Sequence, residues 1–266
     1  DKELYLKVHE KITQLWIDEY FGRGDYLKGK DGRPIVYFYF PQDAESRAAY
    51  YGLKLKDLLD LSQSIAKKSG IKFIAVTAGP MLENERVYGL PTLWKANNPQ
   101  RPWEGGTYQK KQLLQEYVPR LKSMGFEGMT AYVYHNFMNK DNKSFADMRE
   151  TYKGHWNMWS EKFKNDPDFE YQVPTAMGWD MRPAGGTWPQ PSGFPSEPQK
   201  DRVHSDKSSF TAMLKDAQQT SKKYRSSNGN TVMVCCWNEY LEGNYIEPTE
   251  GHGFDYLEAI KNVFGN

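Results

Sequence analysis

Five runs of apolar, β-branched or aromatic residues stand out along the chain: Pro34 to Phe40, Lys72 to Ala78, Met129 to Tyr134, Val173 to Trp179 and Thr231 to Trp237. Their continuous apolar character predicts buried strands. Between them the apolar positions recur with helical spacing. Val8, Ile12, Leu15 and Trp16 form an i, i+4, i+7, i+8 stripe, and Leu55, Leu58, Leu59, Ile65 and Ala66 form another. Leu113, Leu114, Tyr117 and Leu121 form a third, with Pro119 a kink or boundary. Helices are also predicted near 145–163 and 208–225, and Phe254 to Phe264 closes the chain. Strand and helix alternate throughout, which predicts an α/β fold with a parallel sheet and crossover helices.

The connections sharpen this. Helix-to-strand links are short, and Ser69-Gly70-Ile71 and Met124-Gly125-Phe126 each put Gly just past a helix and an apolar residue after it, as a Schellman stop does. Strand-to-helix links are long, at 41–54, 80–109 and 180–206, and rich in Pro, Gly and Trp. A (β/α)8 TIM-type barrel has this asymmetry, because its site is built from loops at the C-terminal ends of the strands. An open doubly wound sheet also binds ligands at that edge. Five strands fall short of a barrel's eight, and the chain opens on a helix. The expectation is a single barrel domain over residues 1–266 that lacks its first strands. The Pro/Gly-rich stretch Pro183 to Pro198 fits a long loop better than a domain boundary.

Charge narrows the partners. The 266 residues carry 35 Lys+Arg against 34 Asp+Glu, so there is no basic footprint for nucleic acid. No apolar run approaches the roughly 18 residues that span a bilayer. Aromatic residues are plentiful, with 18 Tyr, 13 Phe and 8 Trp. They suit a Tyr-rich core and flat faces for sugar rings equally well. Cys235 and Cys236 are adjacent, and strand alternation would point them to opposite faces, so neither a disulfide framework nor a metal cluster is expected. His9, His155, His204 and His252 are scattered without metal-ligand spacing, and neither a G-x-S-x-G elbow nor a P-loop is present. No cofactor or metal is expected.

The chemistry concentrates where the last strand runs into Trp237-Asn238-Glu239-Tyr240-Leu241-Glu242-Gly243. Two carboxylates three residues apart sit where a barrel strand delivers side chains to its pocket. Glycoside cleavage needs two carboxyl groups near one bond. Trp237, Asn238 and Tyr240 flank the pair as candidate sugar contacts. Glu247 and Glu250 read as surface or helix-entry charges. Tyr134 and His135 follow the third strand and would line the pocket, although a loop with one satisfied His explains them equally well. Trp179, Asp180 and Arg182 end the fourth strand as candidates for sugar hydroxyls, against the alternative of a structural ion pair. Tyr39 shares a strand face with Tyr37, and packing is the competing account. Trp156 and Trp159 read as core.

The run Trp237-Asn238-Glu239-Tyr240-Leu241-Glu242-Gly243-Asn244-Tyr245-Ile246-Glu247-Pro248 resembles the signature W-x-E-W-x-E-G-x-x-(I/L)-E-P of glycoside hydrolase family 99 and WbsX-like domains, with Gly253 and Tyr256-Leu257-Glu258-Ala259 in the corresponding later places. Gly178-Trp179-Asp180-Met181-Arg182-Pro183 is similar to the W-D-N-x-P-R segment of WbsX-like domains, one residue shorter and with Met181 for Asn. Gly32-Arg33-Pro34-Ile35-Val36-Tyr37 resembles their G-K-P-V strand entry. The resemblance implies a (β/α)8 barrel and cleavage of α-mannosidic or related bonds with retention. It implies that Glu239 takes the proton of the sugar 2-OH and that Glu242 is general acid, then base. For those roles Glu242 should be desolvated or beside another carboxylate, and Glu239 should accept hydrogen bonds. Tyr240-Leu241 replaces the Trp-His of the endo-mannosidases, so the resemblance carries the chemistry further than the sugar. The expected partner is an oligo- or polysaccharide, the expected assembly a monomer, and the favoured compartment secreted or periplasmic. Two other classes stay open: a glycosyltransferase or polysaccharide-assembly protein of the WbsX-like type, and a non-catalytic carbohydrate-binding domain. The chain shows no D-x-D motif at a strand end for a metal-dependent transferase.

Overall fold

The computed structural model describes residues 1–39, 41–78, 81–83, 86–88, 108–109, 118–134, 144–180, 202–224 and 231–265. The chain opens with α1 (Lys2–Leu15), which continues as a π-helical segment, Trp16–Phe21. Then come β1 (Ile35–Phe38), α2 (Pro41–Tyr50), α3 (Leu55–Lys68) and β2 (Ile74–Ala78). A small antiparallel sheet follows, made of β3 (Met81–Glu83), β4 (Arg86–Tyr88) and β5 (Tyr108–Gln109). The chain proceeds through α4 (Val118–Met124), β6 (Gly128–Thr130), α5 (Phe145–Phe163), β7 (Glu170–Tyr171), β8 (Val173–Ala176) and β9 (Gly178–Asp180). It ends with β10 (Arg202–His204), α6 (Lys207–Lys223), β11 (Val232–Cys235), β12 (Asn238–Glu239), β13 (Asn244–Tyr245) and α7 (Asp255–Phe264).

The sheet is parallel and follows chain order. β1 pairs with β2 in the register Ile35↔Ile74, β2 with β6 at Val76↔Gly128, and β6 with β7 at Gly128↔Glu170. β7 and β8 are one run of chain, interrupted only at Gln172. Its first half pairs with β6 and its second with β11, at Val173↔Val232. The amides show the change of partner: Gln172 donates to Met129, and Val173 donates to Thr231. The result is an arc of five parallel strand positions in sequence order. A doubly wound sheet reverses its order at a switch point, and no reversal occurs among the described strands.

The two faces of the arc differ. Val36, Phe73, Ala75 and Met129 join the main core with side chains of α3 to α7. Ile35, Ile74 and Val76 form a separate cluster with Tyr37 against it. This is the alternation of a strand, one face toward helices and the other away from them. The two Gly stops take the expected form. Gly70 has φ +71°, and the amide of Ile71 reaches the Ala66 carbonyl. Gly125 has φ +101°, and the amide of Phe126 reaches that of Leu121. Trp156 and Trp159 are fully buried in α5, and the Trp156 indole donates to the Pro174 carbonyl at 2.8 Å.

Three expectations are corrected. The link 41–54 holds α2 rather than an irregular loop. The stripe on α1 is not its docking face: Val8, Ile12 and Leu15 are exposed. Instead His9 and Thr13 meet α3, with His9 Nε2 2.7 Å from Ser62 Oγ and Thr13 Oγ1 2.8 Å from it. Only Trp16 of that stripe reaches the core, edge-on to Phe38 and Phe73. A buried polar pin thus competes with apolar area and sets the helix rotation. Finally, the peptide between Cys235 and Cys236 is cis and the two form a disulfide, so both turn to one side and the expected alternation does not hold there. Leu113, Leu114 and Tyr117 lie outside the described residues. No described helix is long and apolar enough to cross a membrane.

Candidate active site

The pair of glutamates sits on a hairpin that β11 delivers. β12 and β13 pair antiparallel, with Asn238 opposite Tyr245 and Glu239 opposite Asn244. The residues between them, Tyr240–Glu242, form one 3-10 turn, and Gly243 ends it in the left-handed conformation at φ +55°. Its amide donates to the Tyr240 carbonyl at 3.1 Å. Glycine is required there twice over. The conformation disfavours any side chain, and a Cβ would lie 2.7 Å from Asp180 Cβ and 3.0 Å from the Asp180 backbone N and O. The turn therefore rests directly on the end of β9. Below it, Ile246 and Glu247 donate backbone bonds to the Trp237 carbonyl, and the buried Asn244 amide approaches both cysteine sulfurs at 3.5–3.6 Å.

Two tyrosines from earlier strands complete the cluster. Tyr132, just past β6, donates its hydroxyl to Glu242 Oε2 at 2.6 Å. Its ring meets that of Tyr39, just past β1, edge-on with centroids 4.9 Å apart. Glu242 is half-buried, and its pKa stands above the ordinary carboxylate range. Burial is the main cause and the charge of Glu239 adds to it, while the Tyr132 hydrogen bond opposes both. Tyr39 is pushed up to about 12, first by burial and then by the charges of Glu242 and Glu239. Tyr132 is raised by burial and by its bond to Glu242. Both carboxylates thus act on the same two phenols. Glu242 has the surroundings expected of a carboxyl kept protonated. The hydrogen bonds expected at Glu239 are not seen among the described residues.

The other candidates divide. Trp237, Asn238 and Tyr240 are exposed beside the pair, Trp237 at 51%. The Tyr240 hydroxyl donates to Glu247 at 2.6 Å and its ring leans on Tyr245. Tyr39 is half-exposed at the cluster. Trp179 and Asp180 are buried under the turn rather than open above it, and Asp180 pairs with His204 Nε2 at 3.1 Å. Tyr134 is corrected outright. It is fully buried, stacked on His155 at 4.0 Å and joined to the Tyr171 hydroxyl at 3.0 Å, so its partners are core side chains. His135 and Arg182 lie outside the described residues. Sequence reading passed over Tyr132 and His204. The signal for Tyr132 was its place near the C-terminal end of the predicted strand Met129 to Tyr134, while His204 meets Asp180 only through the β9–β10 pairing. Among the described residues no group of three or more His, Cys, Asp or Glu side chains is placed to hold a metal.

Residues 196–260 match the family model described as Glycosyltransferase WbsX. The resemblance read from the sequence stands. The matched span contains the whole Trp237–Gly243 segment and Tyr256-Leu257-Glu258-Ala259, but less than half of the chain. No curated protein matches the sequence. Among solved structures, the chain is similar to a glycoside hydrolase-like protein with TM-score 0.57 and 14% identity, over 100% of this chain and 62% of that one. It is also similar to the GH99 endo-alpha-mannosidase from Bacteroides thetaiotaomicron in complex with BIS-TRIS-Propane, with TM-score 0.52 and 12% identity, over 98% of this chain and 65% of that one. The chain spans less than two thirds of the length of these structures, and the likeness is one of fold.

Proposed function

We propose that this chain is the catalytic part of a retaining glycoside hydrolase that cleaves α-linked glycans, mannose-type or related. The five-strand arc is read as part of a (β/α)8 barrel, with the Glu239–Glu242 turn at the C-terminal end of its last strand. The observation that carries the reading is the pair itself. Glu242 is half-buried, held above its ordinary pKa and hydrogen-bonded to Tyr132, with Glu239 close enough to influence it. Two carboxyl groups whose surroundings differ can hold different protonation states at one pH.

In the first step Glu239 takes the proton of the sugar 2-OH, and that oxygen forms a bond to C1. The bond from C1 to the leaving oxygen breaks, its electron pair goes to that oxygen, and Glu242 supplies the proton. Water then attacks C1 of the anhydro-sugar, and the bond from C1 to the 2-oxygen breaks with its electron pair going to that oxygen. Glu242, now a carboxylate, takes the water proton, and Glu239 returns its proton to the 2-oxygen. Two inversions give net retention. In this reading Trp237 and Tyr240, both exposed beside the pair, stack on neighbouring sugar rings.

The test is Glu239→Gln and Glu242→Gln in the full-length protein, assayed for release of reducing sugar from α-linked mannans and oligosaccharides. Each change is expected to lower kcat/KM by about 100-fold or more. Wild-type rates in both variants on a cleaved substrate would refute the assignment. The name of the matched family model favours a second reading, transfer of a sugar from an activated donor. Calorimetry with nucleotide sugars separates the two, since tight nucleotide binding belongs only to the transferase.

A further inference from the structure

Tyr132 belongs to none of the motifs that point to the carboxylate pair, yet it makes the one short polar contact to Glu242 among the described residues. Its chain neighbours Ala131 and Val133 are buried in the main core. Tyr132 is half-buried at the edge of that core, and its ring is braced edge-on by Tyr39. The geometry assigns it a job. We propose that Tyr132 is a positioning residue that holds Glu242 Oε2 as the carbonyl-type oxygen and so directs the acid proton to Oε1. This rests on the reading of Glu242 as the general acid.

A phenol has one O–H, and its bond to Glu242 runs at 2.6 Å, in the range of charge-assisted bonds. When Glu242 is neutral, its carbonyl oxygen accepts better than its hydroxyl oxygen, so a donor fixed at Oε2 leaves the proton on Oε1. When Glu242 gives that proton to the leaving oxygen, the same phenol meets a full carboxylate and the bond strengthens. The contact therefore favours the state formed during proton transfer over the state before it, which is the kind of interaction that raises kcat. The other groups facing Glu242 act differently. Glu239 repels its negative charge, Tyr39 braces the Tyr132 ring and is hydrogen-bonded to its hydroxyl, and the Asp180–His204 pair lies under the turn.

The experiment follows the carboxyl directly. The full-length protein is labelled with carbon-13 at the glutamate side-chain carboxyl, and the Glu242 resonance is assigned by its loss in Glu242→Gln. Tyr132→Phe keeps the ring against Tyr39, and its folding is checked by its melting temperature. In that variant the Glu242 midpoint is expected to rise by about one pH unit, because a bond that favours the carboxylate is gone. The alkaline limb of kcat/KM on the cleaved α-glycan rises with it, and kcat falls while KM stays within about twofold. Replacing Tyr132 by 3-fluorotyrosine strengthens the donor and moves the midpoint down, which covers a Phe variant that does not fold. A side chain that merely packs would move neither midpoint. An unchanged Glu242 midpoint in both forms overturns the proposal, whatever the protein cleaves. If the midpoints move as expected but no α-glycan is cleaved, the proton placement holds and the hydrolase reading falls.

Discussion

Replacing Gly243 by alanine tests how the site is built. Gly243 and Gly253 both have a left-handed backbone, at φ +55° and +50°. An alanine at either pays the same conformational penalty, about 1–2 kcal/mol. Their surroundings differ. A Cβ at Gly253 meets nothing within 4 Å, while one at Gly243 falls 2.7 Å from Asp180 Cβ and 3.0 Å from two Asp180 backbone atoms. Those atoms are rigid, because Asp180 lies in β9 and its carboxylate is bonded to His204. Forced overpacking of this kind costs about 1–3 kcal/mol more. Gly243→Ala should therefore lose roughly 2–5 kcal/mol, and Gly253→Ala only about 1–2. Urea unfolding of the two variants beside the wild type measures the difference from their midpoints at a common slope. If the protein instead yields by moving the turn, stability recovers and the Glu242 contact with Tyr132 is lost, which the Glu242 titration records. Equal stability loss in both variants, with that titration unchanged, would refute the close packing of the turn on β9.

Three further outcomes follow from single side chains. Glu242 has a raised pKa in the folded state, so its share of stability is present below the unfolded pKa and is lost as pH rises through the folded value. Glu242→Gln should then be more heat-stable than wild type at neutral pH but not at pH 3, as a pair of melting curves would show. The opposite sign applies to His9, whose pKa is lowered mainly by burial. The α1–α3 contact should weaken as pH falls from about 6.5 through the folded value, and His9→Gln should flatten the pH dependence of hydrogen exchange in α1. Trp237 is half-exposed, so Trp237→Ala should leave stability within about 0.5 kcal/mol of wild type while weakening glycan binding, measured by calorimetry. Unchanged affinity would remove it from the binding surface.

Much of this protein is legible in its residues without any structure. The five strands, the helices near 145–163 and 208–225 and the two Gly stops depend on neighbours within a few positions, so periodicity and turn chemistry reveal them. The Glu239-x-x-Glu242-Gly243 turn is local in the same sense, since three consecutive residues and a glycine suffice to build it. What the turn meets is not local. Tyr132 rather than Tyr134 reaches the carboxylates, because Tyr134 is held in the core against His155 of α5 and Tyr171 of β7. Asp180 is buried with His204 because β10 folds back on β9. His9 rather than Val8 faces α3 because a polar partner, Ser62, waits there. Alternation and amphipathicity establish that a residue has a face. Which face is inside is decided by partners tens of residues away, and only the packed molecule contains them.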